Sequence, residues 1–510
     1  MKTLRLILGD QLNSNHTWFK QVDDDMVYVL FEMRQETDYV KHHIQKIVGF
    51  FSAMRAFAQS LEAQGHRVIY YRINDDHNTQ SLTQNLSQLI QKHSIKKFEY
   101  QLPDEYRLDA QLKAFCKELN IPHEMFDTEH FLSSRNDVEQ MFEGKKQILM
   151  ETFYRDMRRR YHILMEDKNP VGGKWNYDAE NRNKWKGNPA APAHSAVVNV
   201  VGDVLKEIEQ SGASYFGHID AEKFVWPITR EQSLTLLDEF VTFSLPYFGQ
   251  FQDAMSQKEN FLFHSRLSFA LNIKMLHPLE VVQTSIEAWQ KKPSVITLPQ
   301  VEGFVRQIIG WREYMRGIYW WKMPEYETLN YFNHQNKLPH YFWDAQTNMN
   351  CVKHAVQNSL DFAYAHHIQR LMVTGNFALL AGIHPDEVDA WYLGVYIDAL
   401  QWVEITNTRG MSQYADGGIV GSKPYVSSAN YIDKMSDYCS GCAYDKSKKH
   451  GHMACPFNSL YWYFYERNRP LLGKNNRIGM MYNVLNKMNP EEKQLILNQA
   501  EIYLQQLETL

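Results

Sequence analysis

The chain has 510 residues, 44% hydrophobic and 22% charged, a globular balance in a chain too long for a single hydrophobic core, so two or more domains are expected. The formal net charge of −5 excludes a strongly basic nucleic-acid-binding tail but not a local basic face. Five cysteines, an odd number, suit a reducing compartment such as the cytoplasm, where thiols are free, catalytic or metal-bound. The opening MKTLRLILGDQL has an apolar run too short for a signal peptide, and no uncharged apolar run is long enough to span a membrane.

In chain order, Leu4–Leu8, Met26–Phe31, His66–Ile73 and Lys96–Leu102 are short apolar runs predicted as strands. Helical patterns fill Tyr39–Gly65 and Thr79–His93. Strands separated by helices imply a parallel sheet covered on both faces, here over residues 1–135. Such sheets bind ligands beyond the strand C-termini, where GDQL (Gly9–Leu12) and FEMRQE (Phe31–Glu36) lie. Residues 136–200 read as an interdomain linker, turning rich in Gly, Pro, Asn and Lys from 168 onward. Its Lys174, Arg182, Lys184 and Lys186 are either solvated or phosphate contacts, and the run Arg158–Arg159–Arg160 fans around a helix. Residues 201–510 carry long helical patterns such as Val301–Trp321 and Ser459–Leu472, predicting a large all-α domain.

The stretch YCSGCAYDKSKKHGHMACPF places Cys439, Cys442 and Cys455 close together. Three thiolates call for a fourth ligand, from Cys351, Cys116, His450 or His452. Cys-Pro after a CxxC favours an iron–sulfur cluster, and zinc with three cysteines and a histidine is the alternative. Lys446, Lys448 and Lys449 in the same loop are either solvated or phosphate contacts.

Three segments carry a resemblance: IIGWREYMRGIYW (Ile308–Trp320), MVTGNFALLAGIHPDEVDAWYLGVYIDALQWVEITNTRGMSQYADGG (Met372–Gly418) and the cysteine loop. With them the chain resembles the iron–sulfur bacterial cryptochromes and photolyases. The resemblance implies an α/β antenna-binding domain and an all-helical FAD-binding domain, 201–510. It implies a 4Fe–4S cluster on Cys351, Cys439, Cys442 and Cys455, which frees His450 and His452. It further implies FAD contacts from Ser265, Arg266, Leu267 and Ser268, from Trp311, Arg312 and Arg316, and from Asp398, Glu404 and Asn407. An electron path through Trp343, Trp391 and Tyr392 matches the family's mixed Trp/Tyr route, although a Trp beside a Tyr is by composition more often core.

AYAHHIQRLM (Ala363–Met372) holds two adjacent histidines, which on a helix point about 100° apart, so one of them leads toward a given pocket. A proton moved to a (6-4) lesion as an electron arrives suits histidine. The resemblance assigns that role to His367, with His366 as its neighbour, and the competing reading is a surface pair. Met411, Tyr425 and Tyr431 are the candidate lesion-pocket residues. Asp10, Gln11, Arg34 and Glu36 are candidate contacts for an antenna, 6,7-dimethyl-8-ribityllumazine, with folate as the other option. Magnesium is implied as a helper, with Asp178 and Glu180 as candidate ligands. The expected activity is light-driven repair of (6-4) photoproducts in single- or double-stranded UV-damaged DNA by a monomeric lyase. A blue-light-sensing cryptochrome without repair is the alternative.

Overall fold

The structure is a computed structural model that describes residues 2–178, 182–194 and 196–510. Its sheet has five parallel strands, β1 (Thr3–Leu6), β2 (Met26–Phe31), β3 (Val68–Tyr71), β4 (Lys97–Gln101) and β5 (His123–Phe126), in the order β3-β2-β1-β4-β5. Leu4 lies opposite Val27 on one side and Phe98 on the other. Alternation along each strand sorts the side chains between two layers. Leu4, Leu6, Val27, Val29 and Phe31 pack with helices α2 (Leu82–Lys92) and α3 (Tyr106–Glu118). Ile7, Tyr28 and Leu30 join α1 (Ile44–Ala63) on the opposite face. The four predicted strands are present. The fifth, HEMF, is short, mostly exposed and at the sheet edge, so no apolar run announced it.

Beyond residue 200 the described chain is helical, with only isolated bridges between segments, so the molecule is the predicted α/β sheet domain joined to a large all-α domain. Helix α1 is buried on both sides, because its far face enters the same core as Phe224, Trp226, Phe269 and Ile397 of the helical domain. At Gly49 the approach is so close that a Cβ would stand 2.9 Å from Ile397 Cδ1. The intervening residues 136–200 are partly structured, with helices Asp137–Phe142 and Met150–Arg160. Their arginines bind within the chain. Arg158 donates to the carbonyls of Ile163, Leu164 and Trp175, Arg159 lies over the Trp175 ring, and Arg160 pairs with Asp137 and Asp156. Among the described residues no helix is long and apolar enough to cross a membrane.

A buried ion cluster crosses the seam between the two domains. Lys274 Nζ of the helical domain lies 2.9 Å from Asp10 Oδ2, after β1, and 2.9 Å from Asp104 Oδ2, after β4. Arg316 Nε donates to the other oxygen of Asp104 at 3.3 Å and its Nη1 to the Ser133 carbonyl at 3.0 Å. Burial alone would push both carboxyls up, but Lys274, Arg316 and Arg135 hold Asp104 down at about 2. Removing one charge from a buried set strands its partners, which costs more than the set contributes over an apolar replacement. Lys274→Met is expected to lower unfolding stability by about 3–5 kcal/mol, read from denaturant midpoints. A loss below about 1 kcal/mol would mean that water, rather than Lys274, satisfies the two carboxylates.

Candidate active site

A cavity of about 450 Å³ opens in the helical domain, within the range of small-molecule and cofactor sites. Three of its walls are π-helical segments, Arg306–Arg312, Gln369–Gly375 and Thr406–Ser412. A π-turn carries an extra residue in an otherwise helical run and so turns side chains off the regular helical face, a feature frequent at functional sites. Two of the walls touch at Gly375, where a Cβ would lie 2.1 Å from Ser412 Oγ. A residue with a side chain there would force the walls apart.

The strongest electrostatic feature of the cavity is Arg370 with Asp398. The guanidinium meets the carboxylate through two bonds, 2.9 and 3.1 Å. Ser268 Oγ donates to Asp398 Oδ2 at 2.6 Å, and Asn272 Nδ2 to the Asp398 carbonyl at 2.7 Å. Arg370 also donates to the Ala365 carbonyl at 2.6 Å and stands 3.7 Å from the Tyr396 ring centroid. Burial opposes its charge, yet Asp398 and Tyr396 hold its pKa above the ordinary value.

Several lining groups lack partners. Glu404 is buried, its Oε1 bonds nothing, and burial reinforced by Asp389 pushes its carboxyl well up. Arg312 donates Nη2 to His130 Nε2 at 2.9 Å and its Nη1 lies 3.5 Å from Glu313 Oε1, while its Nε has no hydrogen-bond partner and burial lowers its pKa to about 10. The unsatisfied Nε donors of Arg312 and Arg266 and the unpartnered Glu404 oxygen, all on residues that line the cavity, are the arrangement a polar, anionic cofactor would complete.

Ser265, Arg266, Ser268, Trp311, Arg312, Asp398, Glu404 and Asn407 all line this cavity. Two further residues expected there point elsewhere. Leu267 is in the core, and Arg316 belongs to the Asp104 cluster. The guanidinium of Arg266 donates to the His194 and Val225 carbonyls and lies over Phe261, so its charge is used in holding the chain. Residues that sequence reasoning passed over are Arg370, Asn272, Tyr364, Tyr396 and His264. Arg370 was within the quoted AYAHHIQRLM, but its partner is 28 residues away and no local spacing links the two.

The two histidines do not share a helix as expected: His366 ends the non-helical stretch after Ala363, and His367 is the first residue of the helical run that follows. His366 is buried and stacks on His264, centroids 4.3 Å apart and planes 11° off parallel. His367 is exposed and faces into the cavity. The surrounding protein and then the Arg370 charge lower its pKa to about 4, a depression that contact with water at the cavity mouth reduces. Met411 and Tyr425 line the same cavity, and Tyr431 reaches it through Asp253, to which its hydroxyl donates at 3.2 Å. Asp178 also lines it, paired with Arg306 and Arg182, while Glu180 lies outside the described residues.

Tyr392 stands in the cavity wall, its hydroxyl 2.6 Å from the Arg370 carbonyl and 2.7 Å from Thr374 Oγ1. Trp391 adjoins it with centroids 5.3 Å apart, is buried, and packs against Phe342 at 5.2 Å. Trp343, next in chain to Phe342, is 38% exposed. Tyr392, Trp391 and Phe342 thus follow one another inward from the cavity wall, and Trp343 packs against Phe216 at 5.0 Å.

Cys351 opens helix Asn350–Phe362, and Cys455 caps helix Pro456–Arg467. Burial and then Cys455, Cys439 and Cys442 push the Cys351 thiol well up, while burial takes Cys455 to about 12 and Cys439 to about 11. The four thiols are thus within electrostatic reach of one another, and only a bound cation would stabilise them as thiolates. Among the described residues no three His, Cys, Asp or Glu side chains close around a point as a single ion requires. In a multi-iron cluster each cysteine binds a different iron, so the sulfurs stand farther apart than around one ion. The lysines of this loop are engaged, Lys446 with Asp433, Lys448 with Asp445 and Lys449 with Glu492.

A second, smaller cavity of about 110 Å³ lies past the C-terminal ends of β1 and β4, where the strand order reverses. Asp10 and Glu36 line it. Gln11 is buried in bonds to Leu8 N and the Gln101 and Leu102 carbonyls, and Arg34 is exposed and paired with Asp38.

Comparison with known proteins adds three findings. Residues 5–224 match the family model described as deoxyribodipyrimidine photo-lyase-related protein. A curated (6-4) photolyase of Agrobacterium fabrum is 42% identical over 511 residues, covering all of both chains. Among solved structures, a bacterial class III photolyase from Agrobacterium tumefaciens superposes with a TM-score of 0.59 at 14% identity, over 99% of this chain and 98% of that one. A Synechocystis cryptochrome gives 0.55 at 11% identity, over 97% and 93%. Those two likenesses establish the fold, and the full-length sequence identity establishes the kinship: the chain belongs to the photolyase/cryptochrome superfamily, close to the bacterial (6-4) photolyases.

Proposed function

We propose that the chain is a DNA lyase that repairs (6-4) pyrimidine–pyrimidone photoproducts with light, using FAD in the larger cavity. The carrying observation is the full-length 42% identity to a (6-4) photolyase, and His367 facing the same cavity as Arg370 and Asp398 supports it. Reduced FAD, excited by light, supplies one electron to the lesion. Arg370 and Asp398 form a fixed charge pair beside that site, and the buried Glu404 carboxyl, its Oε1 without a partner, stands on the same wall. Met411 and Tyr425 leave an apolar flank for a base swung out of the helix.

His367 is the proton donor in this reading, because His366 is sealed behind it against His264. With its pKa near 4 in free protein, His367 is neutral at pH 7. An approaching DNA backbone brings negative charge that favours the protonated ring, so substrate binding itself arms the acid. Illumination of the photoreduced protein with an oligonucleotide containing a (6-4) lesion should restore the bases. His367→Ala should cut the repair rate by 100-fold or more, the low end of general acid catalysis being about 10², while photoreduction is unchanged. An unchanged lesion in a protein holding full FAD would leave the light-sensing cryptochrome as the function, and normal repair by the variant would remove His367 from the reaction.

Trp343, Trp391 and Tyr392 return electrons from the surface when the flavin has oxidised. The Tyr392 hydroxyl, bonded to the Arg370 carbonyl and Thr374, is held at the inner end of that row. Trp391→Phe should slow photoreduction at least tenfold without releasing FAD, measured by absorbance under blue light with an external reductant. Equal rates would place the path elsewhere.

The four cysteines hold a 4Fe–4S cluster that ties the helix beginning at Asn350 to the loop near residue 440. Cys439→Ser should lose the broad brown absorbance and the iron on elemental analysis, and zinc in the unaltered protein would overturn the assignment. The smaller cavity takes the antenna, 6,7-dimethyl-8-ribityllumazine, with Asp10 and Glu36 at its polar end. Its apolar walls suit a flat ring, but about 110 Å³ is less than such a molecule fills, so the walls must yield. Magnesium at Asp178, UV-damaged DNA as partner, a monomer and a cytoplasmic setting complete the reading.

A further inference from the structure

The two cavities share a wall, the segment from Asp398 to Gln401. Asp398 and Ala399 line the larger cavity, and Leu400 lines the smaller. The larger cavity holds this segment by the Asp398 carboxylate and carbonyl, through Arg370, Ser268 and Asn272. Two residues of the smaller cavity hold it from the other side. Lys46 Nζ donates to the Ala399 carbonyl at 2.7 Å and to the Leu393 carbonyl at 2.6 Å. Glu105 Oε1 accepts from Gln401 N at 3.1 Å. Both side chains line the smaller cavity, both residues are buried, and neither touches the larger one.

Resting on the assignment of FAD to the larger cavity, we infer that Lys46 and Glu105 are positioning residues that fix Asp398 from behind, so that occupancy of the smaller cavity is coupled to the flavin site through residues 398–401. The smaller cavity is too tight for a ribityllumazine as it stands, so a ligand of that size must press on its walls. One of those walls is Leu400, whose neighbours are the two clamped peptide groups. Helix α1, which carries Lys46, has no slack to take up the strain, since Gly49 one turn on already abuts Ile397. Linkage then requires that whatever the antenna ligand does to FAD binding, FAD does equally to the antenna.

The test uses the full-length protein loaded with FAD, with FAD release followed by the rise in flavin fluorescence on dilution. Lys46→Met and Glu105→Leu should each speed release at least about fivefold, the lower end of ordinary coupling. Lys46→Arg and Glu105→Gln, which keep a donor and an acceptor in place, should stay near the unaltered rate. Denaturant midpoints recorded alongside exclude general loosening, and should Lys46→Met not fold, Glu105→Leu carries the comparison alone. Saturating 6,7-dimethyl-8-ribityllumazine should change the release rate of the unaltered protein and not that of Glu105→Leu. Release from Glu105→Leu at the unaltered rate, or the same lumazine effect in both proteins, would overturn the inference. If lumazine fails to bind while Glu105→Leu still releases FAD faster, the antenna assignment falls and the positioning role stands.

Discussion

Lys274 is the group on which the arrangement of the two domains depends. Its ammonium is taken out of water and placed between Asp10 and Asp104, one carboxylate from the end of each central strand. A charge buried in this way has no low-energy alternative if the partners move, so the seam has one register rather than several. The backbone registers the constraint too. Lys274 sits at φ 68° and Arg266 at φ 57°, left-handed for residues with side chains, bracketing the short helix Ser268–Asn272. Buried contacts at both ends, ionic at Lys274 and carbonyl and aromatic at Arg266, hold that helix where Ser268 and Asn272 meet Asp398. The seam and the larger cavity are thus one mechanical unit.

Within the helical domain, cavity shape comes from irregular helix. Arg306–Arg312, Gln369–Gly375 and Thr406–Ser412 each continue regular helix into π-helix just where side chains must turn inward. Each segment contains a glycine, Gly310, Gly375 and Gly410, and an added Cβ would meet Tyr154, Ser412 and Tyr326 respectively. Close packing between helices leaves room inside for a cofactor because the bulk has been removed from the crossings and not from the lining.

What could be read from the sequence follows from how local its causes are. Strands β1 to β4 and the helical character of the C-terminal part rest on periodicity within ten or twenty residues, and these were legible. Strand β5 was not, since its place is fixed by pairing to β4 and not by any apolar run of its own. A family resemblance pointed to Asp398, Glu404 and Arg312 as cavity residues. Arg370 escaped because two histidines beside it drew the chemical argument, and because a bidentate pair 28 residues apart has no signature in spacing. Leu267 and Arg316 show the converse. They sit beside cavity residues in sequence and point away from the cavity, Arg316 because an adjacent residue on its helix is turned by about 100°, Leu267 because the chain turns at Arg266, φ 57°, before the helix starts.

The same rotation separates Tyr392 from Trp391 on helix Pro385–Val395. Tyr392 and Trp391 are neighbours, so one faces the cavity and the next faces Phe342. His366 and His367 divide across the start of a helix, His366 sealed in the preceding non-helical stretch and His367 open to the cavity. Arg370 links the two pairs physically: its carbonyl accepts from Tyr392, its guanidinium fixes Asp398, and its charge depresses His367. A change in charge at Asp398 would therefore be felt at His367 through Arg370, and a shift of the 398–401 segment would reach both. One guanidinium therefore ties a carboxylate, a tyrosine and a histidine of the cavity wall to one another.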